Sequence, residues 1–272
     1  MAIGTTLNQR FAQATVLLLG AGMLVLLGCG LVPGTSQFLG DNADDDQATA
    51  CASGAATVPL KEAKLNIEHN ATDADTGFQG FIDSEGWDRL DVTGPDGVVL
   101  TLQSRGNLEG FGVTELFFET VEPANADVPL ADVLALLPEG EYTISGPTPD
   151  GECTLGTALL THSIPAGPVL LTPPPAATVA RNNLVMSWSP VTQTIIGEPV
   201  TIIRYQLIVE KDDVPHAHAI GKIGLSIYVP ATVTSVTVPV EILEASTAYK
   251  WEVLAIEESG NQTLSSSEFT TE

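Results

Sequence analysis

The strongest constraint on this chain is a series of short segments in which apolar and polar residues alternate. Such segments lie around residues 65–67, 90–92, 98–102 and 142–144. Alternation with a period of two gives a strand one buried and one solvated face, as in antiparallel sheets. The turn sequences 93–97 (TGPDG) and 145–151 (SGPTPDG) each follow such a segment, and Asp-Gly suits tight hairpin turns. The sequence therefore predicts an all-β fold.

One short helix is predicted over residues 129–137. Leu130, Val133, Leu134 and Leu137 recur at the spacing of one helical face. Pro129 suits the first helical position, and the proline at 138 stops the helix.

The N-terminus has the features of an export signal over residues 1–28. Arg10 precedes the apolar run 14–27, which ends in Gly28-Cys29. Residues 26–29 (LLGC) resemble the bacterial lipobox, and this resemblance implies that Cys29 is lipidated and becomes the first mature residue. The alternatives are ordinary cleavage or a retained helix, since residues 12–32 approach the ~20 apolar residues that span a bilayer. Either way, we expect an exported protein of the cell envelope, anchored to the membrane by lipid at Cys29 in the first case.

The charge of the chain is strongly acidic, with 34 acids against 10 bases and a net charge of −24. This charge repels nucleic acid, so no DNA or RNA partner is expected. Residues 29–163 carry 23 acids and 4 bases, whereas residues 164–272 carry 11 acids and 5 bases. The difference favours a domain boundary near residue 164, with one β-sandwich at 61–164 and a second at 165–272.

Residues 29–60 are predicted to be an acidic, flexible tether. They are rich in small residues and contain the aspartates Asp41, Asp44, Asp45 and Asp46, whose mutual repulsion extends the segment. If Cys29 holds lipid, Cys51 and Cys153 are the remaining cysteines, and outside the cytoplasm they can form a disulfide. The alternative is a free Cys51 in the tether.

The C-terminal half resembles the fibronectin type III module. Residues 184–188 (LVMSW) resemble its strand B with the core tryptophan Trp188, residues 205–210 its strand C, and residues 235–239 its strand E. The spacing of the E–F corner and strand F is matched by Leu243, Thr247, Tyr249, Trp251, Val253 and Ala255. The resemblance implies a binding or spacer module with Tyr249 as its tyrosine corner. No Arg-Gly-Asp tripeptide is present, and the sequence does not place the strands within residues 211–233.

The sequence offers little that indicates catalysis, and a non-enzyme is expected. It lacks Gly-x-Ser-x-Gly, His-Glu-x-x-His, P-loop and Cys-x-x-Cys motifs. His216 and His218 would share one strand face and could bind a metal, but the sequence shows no third ligand nearby. Glu115 and Glu119 are the best candidates for a glycosidase pair, although such pairs arise by chance in so acidic a chain.

Calcium is the cofactor that the sequence suggests. Its predicted ligands lie in and just after the segment 70–77 (NATDADTG): Asn70, Asp73, Asp75, Asp83 and Glu85. Hard oxygen ligands at alternate positions around a glycine turn suit Ca²⁺, although the spacing is not that of an EF-hand. The alternative is an ordinary surface turn rich in Asn and Asp.

Three functional hypotheses follow for the exported protein, of which the third, an enzyme or a hydrolase accessory protein, is disfavoured by the missing catalytic motifs. The first is adhesion or scaffolding through protein contacts of the β-domains at the cell surface. The second is carbohydrate binding, with Trp87 stacking on a sugar ring beside carboxylates. A half-buried packing role for Trp87 is the alternative to that site.

Overall fold

The computed structural model describes residues 51–214, 217, 218, 222 and 224–272. The predicted export signal, the lipidation site Cys29 and the first part of the tether lie outside the described residues. So does His216 of the predicted histidine pair.

The first domain is a sandwich of two sheets with one short helix. Its strands are β1 (Thr57–Pro59), β2 (Glu62–Asn70), β3 (Asp75–Trp87), β4 (Arg89–Gly94), β5 (Gly97–Gln103), β6 (Val113–Glu119), β7 (Gly140–Pro147) and β8 (Cys153–Leu160), and the helix is α1 (Leu130–Leu134). One sheet has the order β1-β8-β7-β4-β5, and β2, β3 and β6 lie in the other. The predicted hairpin turns are confirmed: one joins β4 to β5 and the other joins β7 to β8.

The second domain is also a sandwich of two sheets. Its strands are β9 (Leu170–Thr172), β10 (Ala177–Val179), β11 (Val185–Trp188), β12 (Ile202–Lys211), β13 (Gly224–Pro230), β14 (Ser235–Thr237), β15 (Ala248–Glu257) and β16 (Gln262–Thr271). The smaller sheet has the order β14-β11-β9, and the larger contains β13, β12, β15 and β16 in that order. The all-β prediction is therefore confirmed, and the unplaced segment 211–233 contains β13.

Each of the two sandwiches has its own hydrophobic core. The first core packs the inner faces of its sheets around Ile67, Ile82, Leu90 and Tyr142. Val133 of α1 is buried in it, with Leu130, Leu134 and Leu137 packed against it. The predicted apolar positions therefore contact the core, but the helix is shorter than predicted, because it ends at Leu134 and Leu137 lies beyond it. The second core contains Trp188 and Trp251 together with Tyr205, Tyr249 and Phe269.

Tyr249 makes the corner contact that the fibronectin resemblance implies. Its hydroxyl accepts a hydrogen bond from the Glu244 amide at 2.7 Å and donates to the Ile242 carbonyl at 3.3 Å. Its ring stacks on Phe269, with 5.3 Å between the ring centroids. The second domain thus has a fibronectin-like fold.

One sheet runs through both domains. Residues 262–264 of β16 pair in parallel with residues 68–70 of β2, giving the strand order β13-β12-β15-β16-β2-β3-β6. The Ala71 amide extends this ladder to the Leu264 carbonyl at 2.9 Å. The sequence-based boundary near residue 164 therefore separates two cores but not two independent sheets.

The expectation of a flexible tether up to residue 60 is wrong for its last residues. Residues 57–59 form β1, which pairs in parallel with β8, and a disulfide joins Cys51 to Cys153. The backbone hydrogen bonds and the covalent link fix this segment to the first domain. Sequence composition missed this because β1 is only three residues long and pairs with a strand almost 100 residues away.

Candidate binding groove between the two domains

The outer face of the joined sheet has an open groove where the domains meet. β2 and β3 present Lys64, Gln79 and Phe81 to it, and β12 and β13 present Arg204 and Tyr228. These side chains lie on one face because residues of β2 and β3 that pair across the ladder, such as Lys64 with Phe81, point to the same side of the sheet. The groove has a volume of about 720 Å³, within the range of ligand sites in proteins.

Aromatic and aliphatic side chains remain exposed in this groove. Phe117 is 38% exposed and Tyr228 is 45% exposed, while Leu159 and Ile203 are 61% and 43% exposed. Large apolar groups that stay accessible within one concave surface mark contact sites more often than solvated faces do. The groove therefore offers apolar contact area from both domains.

Two cations are held against aromatic rings on opposite sides of the groove. Lys64 Nζ lies 5.7 Å from the centroid of the Phe81 ring, and the Arg204 guanidinium carbon lies 5.2 Å from that of Tyr228. Such cation–π contacts orient the rings and their charges together. Lys64 also pairs with Glu62 at 3.0 Å, so its charge is compensated within the first domain.

The floor of the groove at the domain junction is a buried polar network. Gln262 Nε2 donates to Glu68 Oε2 at 2.6 Å and to Gln79 Oε1 at 2.7 Å. Gln79 Nε2 in turn donates to Glu68 Oε2 at 2.9 Å and to Glu119 Oε1 at 2.7 Å. Because these side chains satisfy one another, the network fixes the junction and presents a preformed floor.

Three carboxylates meet beside this floor. Oxygen atoms of Glu68, Glu119 and Glu122 lie within 4.8 Å of one another. Glu68 is buried, Glu119 is exposed and Glu122 is intermediate. Hard oxygen ligands in such a group are of the type that Ca²⁺ or Mg²⁺ takes. Sequence reasoning missed this cluster because only the pairing of β2, β3 and β6 brings residues some 50 positions apart to one place.

The five predicted calcium ligands do not converge. Asn70, Asp73 and Asp75 share the turn between β2 and β3, whereas Asp83 lies eight residues further along β3, roughly 26 Å away. Glu85 is further still and pairs with Lys61 at 2.9 Å. The set as predicted is therefore wrong as a single ligand sphere, because an extended strand separates its two halves.

Within the turn, side-chain oxygen atoms of Asn70 and Asp73 already accept hydrogen bonds. Asn70 Oδ1 accepts from the Thr72 and Asp73 amides at 2.9 and 3.1 Å, and Asn70 Nδ2 donates to Asp73 Oδ2 at 2.8 Å. This is the hydrogen bonding of an ordinary Asn turn. Calcium binding by Asn70, Asp73 and Asp75 stays a prediction.

Trp87 does not form a sugar site. It is 2% exposed and belongs to the first core, so no sugar can stack on its ring. The carboxylate beside it misled the sequence interpretation, since a strand residue next to Asp88 can still point inward. The aromatic residues that are accessible in the groove, Phe117 and Tyr228, lay in strand patterns that gave no sign of their exposure.

The remaining candidates are also separated. Glu115 and Glu119 lie four residues apart on β6, about 13 Å, which is too far for a glycosidase pair at ~5–10 Å. His218 is exposed. None of the helices in the described part of the chain is long and apolar enough to cross a membrane.

No family model and no curated protein matches the sequence. Among solved structures, the FN1-FN3 domains of chicken CNTN1 match 80% of this chain and 66% of their own length, at 12% identity and a TM-score of 0.29. Trypsin-activated alpha-2-macroglobulin from Escherichia coli matches 77% of this chain and 15% of its own, at 13% identity and a TM-score of 0.26. The BSP domain of a biofilm associated protein matches 78% and 29%, at 18% identity and a TM-score of 0.23. The chain thus spans less than two thirds of each of these chains.

Proposed function

We propose that this is a non-catalytic adhesion or scaffolding protein of the cell envelope that holds a partner protein in the groove between its two β-domains. The observation that carries the proposal is the joined sheet, which sets exposed apolar side chains of both domains around one concave surface. Aromatic side chains that project from a rigid sheet are the usual anchors of protein interfaces. The groove places these aromatic side chains beside amide and charged side chains, which are suited to holding a partner protein.

Substitutions in the groove test this function. The assay measures how much purified partner protein is retained on plates coated with residues 51–272. We expect Phe117→Ser and Tyr228→Ser each to reduce this retention about tenfold or more, as is typical of interface anchors. The matched control is Ile196→Ser, which removes a 75% exposed aliphatic side chain that does not line the groove. Retention that is equal in the wild type and both groove variants would show that the groove is not the contact surface.

A glycan is the second candidate for the groove. The supporting observation is that the rings of Phe81, Phe117 and Tyr228 line the groove together with the Asn66 amide. Rings stack on sugars, and amides bind hydroxyl groups. A glycan array separates the candidates: a glycan whose binding is lost in Phe117→Ser would replace the protein partner in the proposal.

We also propose that lipid at Cys29 anchors the protein to the membrane, on the basis of the LLGC sequence at the end of the apolar run. Each buried CH₂ contributes about 0.8 kcal/mol, so more than one acyl chain gives stable anchoring. Cys29→Ala should leave an unprocessed precursor on immunoblots. An unmodified Cys29 within an intact N-terminus, found by mass spectrometry, would exclude lipidation.

A further inference from the structure

Strand β13 ends the joined sheet on the side of the second domain. Within the described residues, β12 is its one ladder partner, and the two strands pair in unbroken register from Gly224 to Pro230. Among the described residues, no strand pairs with the other side of β13, and the backbone N–H and C=O groups on such a side are those with which a further strand pairs.

The other long edges in the described part of the chain are protected against such pairing. β6, at the opposite end of the same sheet, carries Glu115 and Glu119. β5 has an extra residue, Val99, where the register against β4 shifts, and such a bulge twists an edge away from partners. β1, β9 and β14 have only three residues each.

β13 lacks these protective features. Its sequence GLSIYVP contains no charged residue, its ladder with β12 has no bulge, and its single proline is the last residue. Ile227, Tyr228 and Val229 at its centre are β-branched or aromatic, the residue types that favour strand pairing.

The charge of the surrounding sheet also favours contact between copies of this chain. The whole chain carries a net charge of −24, so two copies repel each other. Strands β12, β13 and β15 instead carry three bases (Arg204, Lys211 and Lys250) and three acids (Glu210, Glu252 and Glu257), a net charge of zero. These strands therefore add no net repulsion between two copies that meet at this edge.

We propose that β13 pairs antiparallel with β13 of a second copy, about a two-fold axis perpendicular to the sheet. Such a contact is self-complementary, because the same strand supplies both sides of the ladder. Ser226 and Tyr228 of one copy then lie on the same face as their counterparts in the other, and the joined sheet continues from one copy into the next. This pairing goes beyond the groove function, since it uses the backbone edge of β13 and a second copy as the partner.

Sedimentation of residues 51–272 over a range of concentrations tests the pairing. This segment contains both cores and the disulfide, so it holds what each domain needs to fold. Residues 51–272 lack four acids and one base of the whole chain, so their net charge is −21. We expect a reversible monomer–dimer equilibrium whose dimer fraction rises with concentration and with salt, because salt screens the repulsion between two acidic copies. A monomer at all concentrations and salt levels would overturn the proposal.

Variants locate the contact. Ser226→Lys and Ser226→Glu place a charge of either sign at the centre of the edge, and each should weaken dimerisation at least tenfold. The matched control is Thr114→Lys, which adds a positive charge to the exposed edge strand at the other end of the sheet and should leave the dimer unchanged. A dimer that survives both Ser226 variants, or that is lost in the control, would place the contact elsewhere.

Hydrogen exchange gives a readout that needs no variant. In wild-type protein, the amides of residues 224–230 should become more protected as the concentration rises through the dimer range, because the new ladder binds them. Protection of this segment that does not change with concentration would contradict strand pairing even if a dimer forms.

Discussion

Asp75, the first residue of β3, holds a carboxylate in an unfavourable place. Its Oδ1 atom is buried without a hydrogen-bond partner in the described structure. Burial raises the pKa of the Asp75 carboxyl above its ordinary value, and the charge of Asp73 raises it further, while its own backbone amide and Lys250 act in the opposite direction. The folded state thus disfavours the ionised form of this side chain.

The raised pKa of Asp75 sets the sign of a pH effect. An acid whose pKa is higher in the folded than in the unfolded state stabilises the fold most below its unfolded pKa, near 4, and loses that contribution as pH rises through its folded pKa. We expect Asp75→Asn to match the wild type near pH 4 and to be more stable at pH 7, by less than about 1 kcal/mol because solvent screens a partly exposed group. Urea unfolding from pH 4 to 7 measures this difference. Asp96→Asn, at an exposed turn, is the control, and a difference independent of pH would contradict the assignment.

At the scale of single residues, the sequence predicted the role of some side chains but not which side chains are exposed to solvent. It identified Asn70, Asp73 and Asp75 as one turn, and it placed Trp188 in a core, where it packs edge-on against Tyr205 at 5.5 Å. It could not show that Trp87 points inward while Phe117 stays accessible, because either face of a strand accepts an aromatic residue. Which face is buried depends on the neighbouring sheet.

Among the structural elements, local signals were read correctly and long-range ones were missed. Turn residues and helical spacing predicted the β4–β5 hairpin and α1, since both depend on residues close in sequence. β3 was not recognised as one strand of 13 residues, because glycines interrupt its pattern. Gly80 is required there by packing: a Cβ atom at that position would lie 2.3 Å from the Phe118 ring.

The corner formed by Tyr249 supports the turn that leads into β15. Tyr249→Phe keeps the ring and its stacking on Phe269 but leaves the Glu244 amide and the Ile242 carbonyl without the hydroxyl. Unpaired buried backbone groups cost about 1–3 kcal/mol, so we expect a loss of stability of that size. Urea unfolding should show a lower midpoint with an unchanged slope. Ser235→Ala, which removes an exposed hydroxyl from β14, should change stability by less than about 0.5 kcal/mol, and an equal loss in both variants would argue against the corner.

Taken as a whole, the molecule behaves as two cores joined by one sheet, and Asn261 lies at the joint. Its Oδ1 accepts from the Ile67 amide of β2 at 2.8 Å, and its Nδ2 donates to the Thr161 carbonyl at 2.9 Å. Its own amide donates to Glu257 Oε1 at 3.0 Å. One side chain, 1% exposed, thus ties the first domain and the connecting segment to the β15–β16 turn. No sequence pattern indicated this, because the partners lie 100 and 194 residues away.

This joint predicts that the two domains unfold together. Asn261→Ala leaves the Ile67 amide buried without its acceptor and removes the bond to the connecting segment, so we expect a loss of about 2–4 kcal/mol and weaker coupling between the domains. Hydrogen exchange with mass spectrometry under mild denaturant should give the same opening free energy for peptides covering β3 and β15 in the wild type, and different values in the variant. Ser235→Ala, on the exposed face of β14, is the control and should keep the two values equal. Two separate unfolding transitions in the wild type would mean that the parallel pairing of β2 with β16 does not couple the cores.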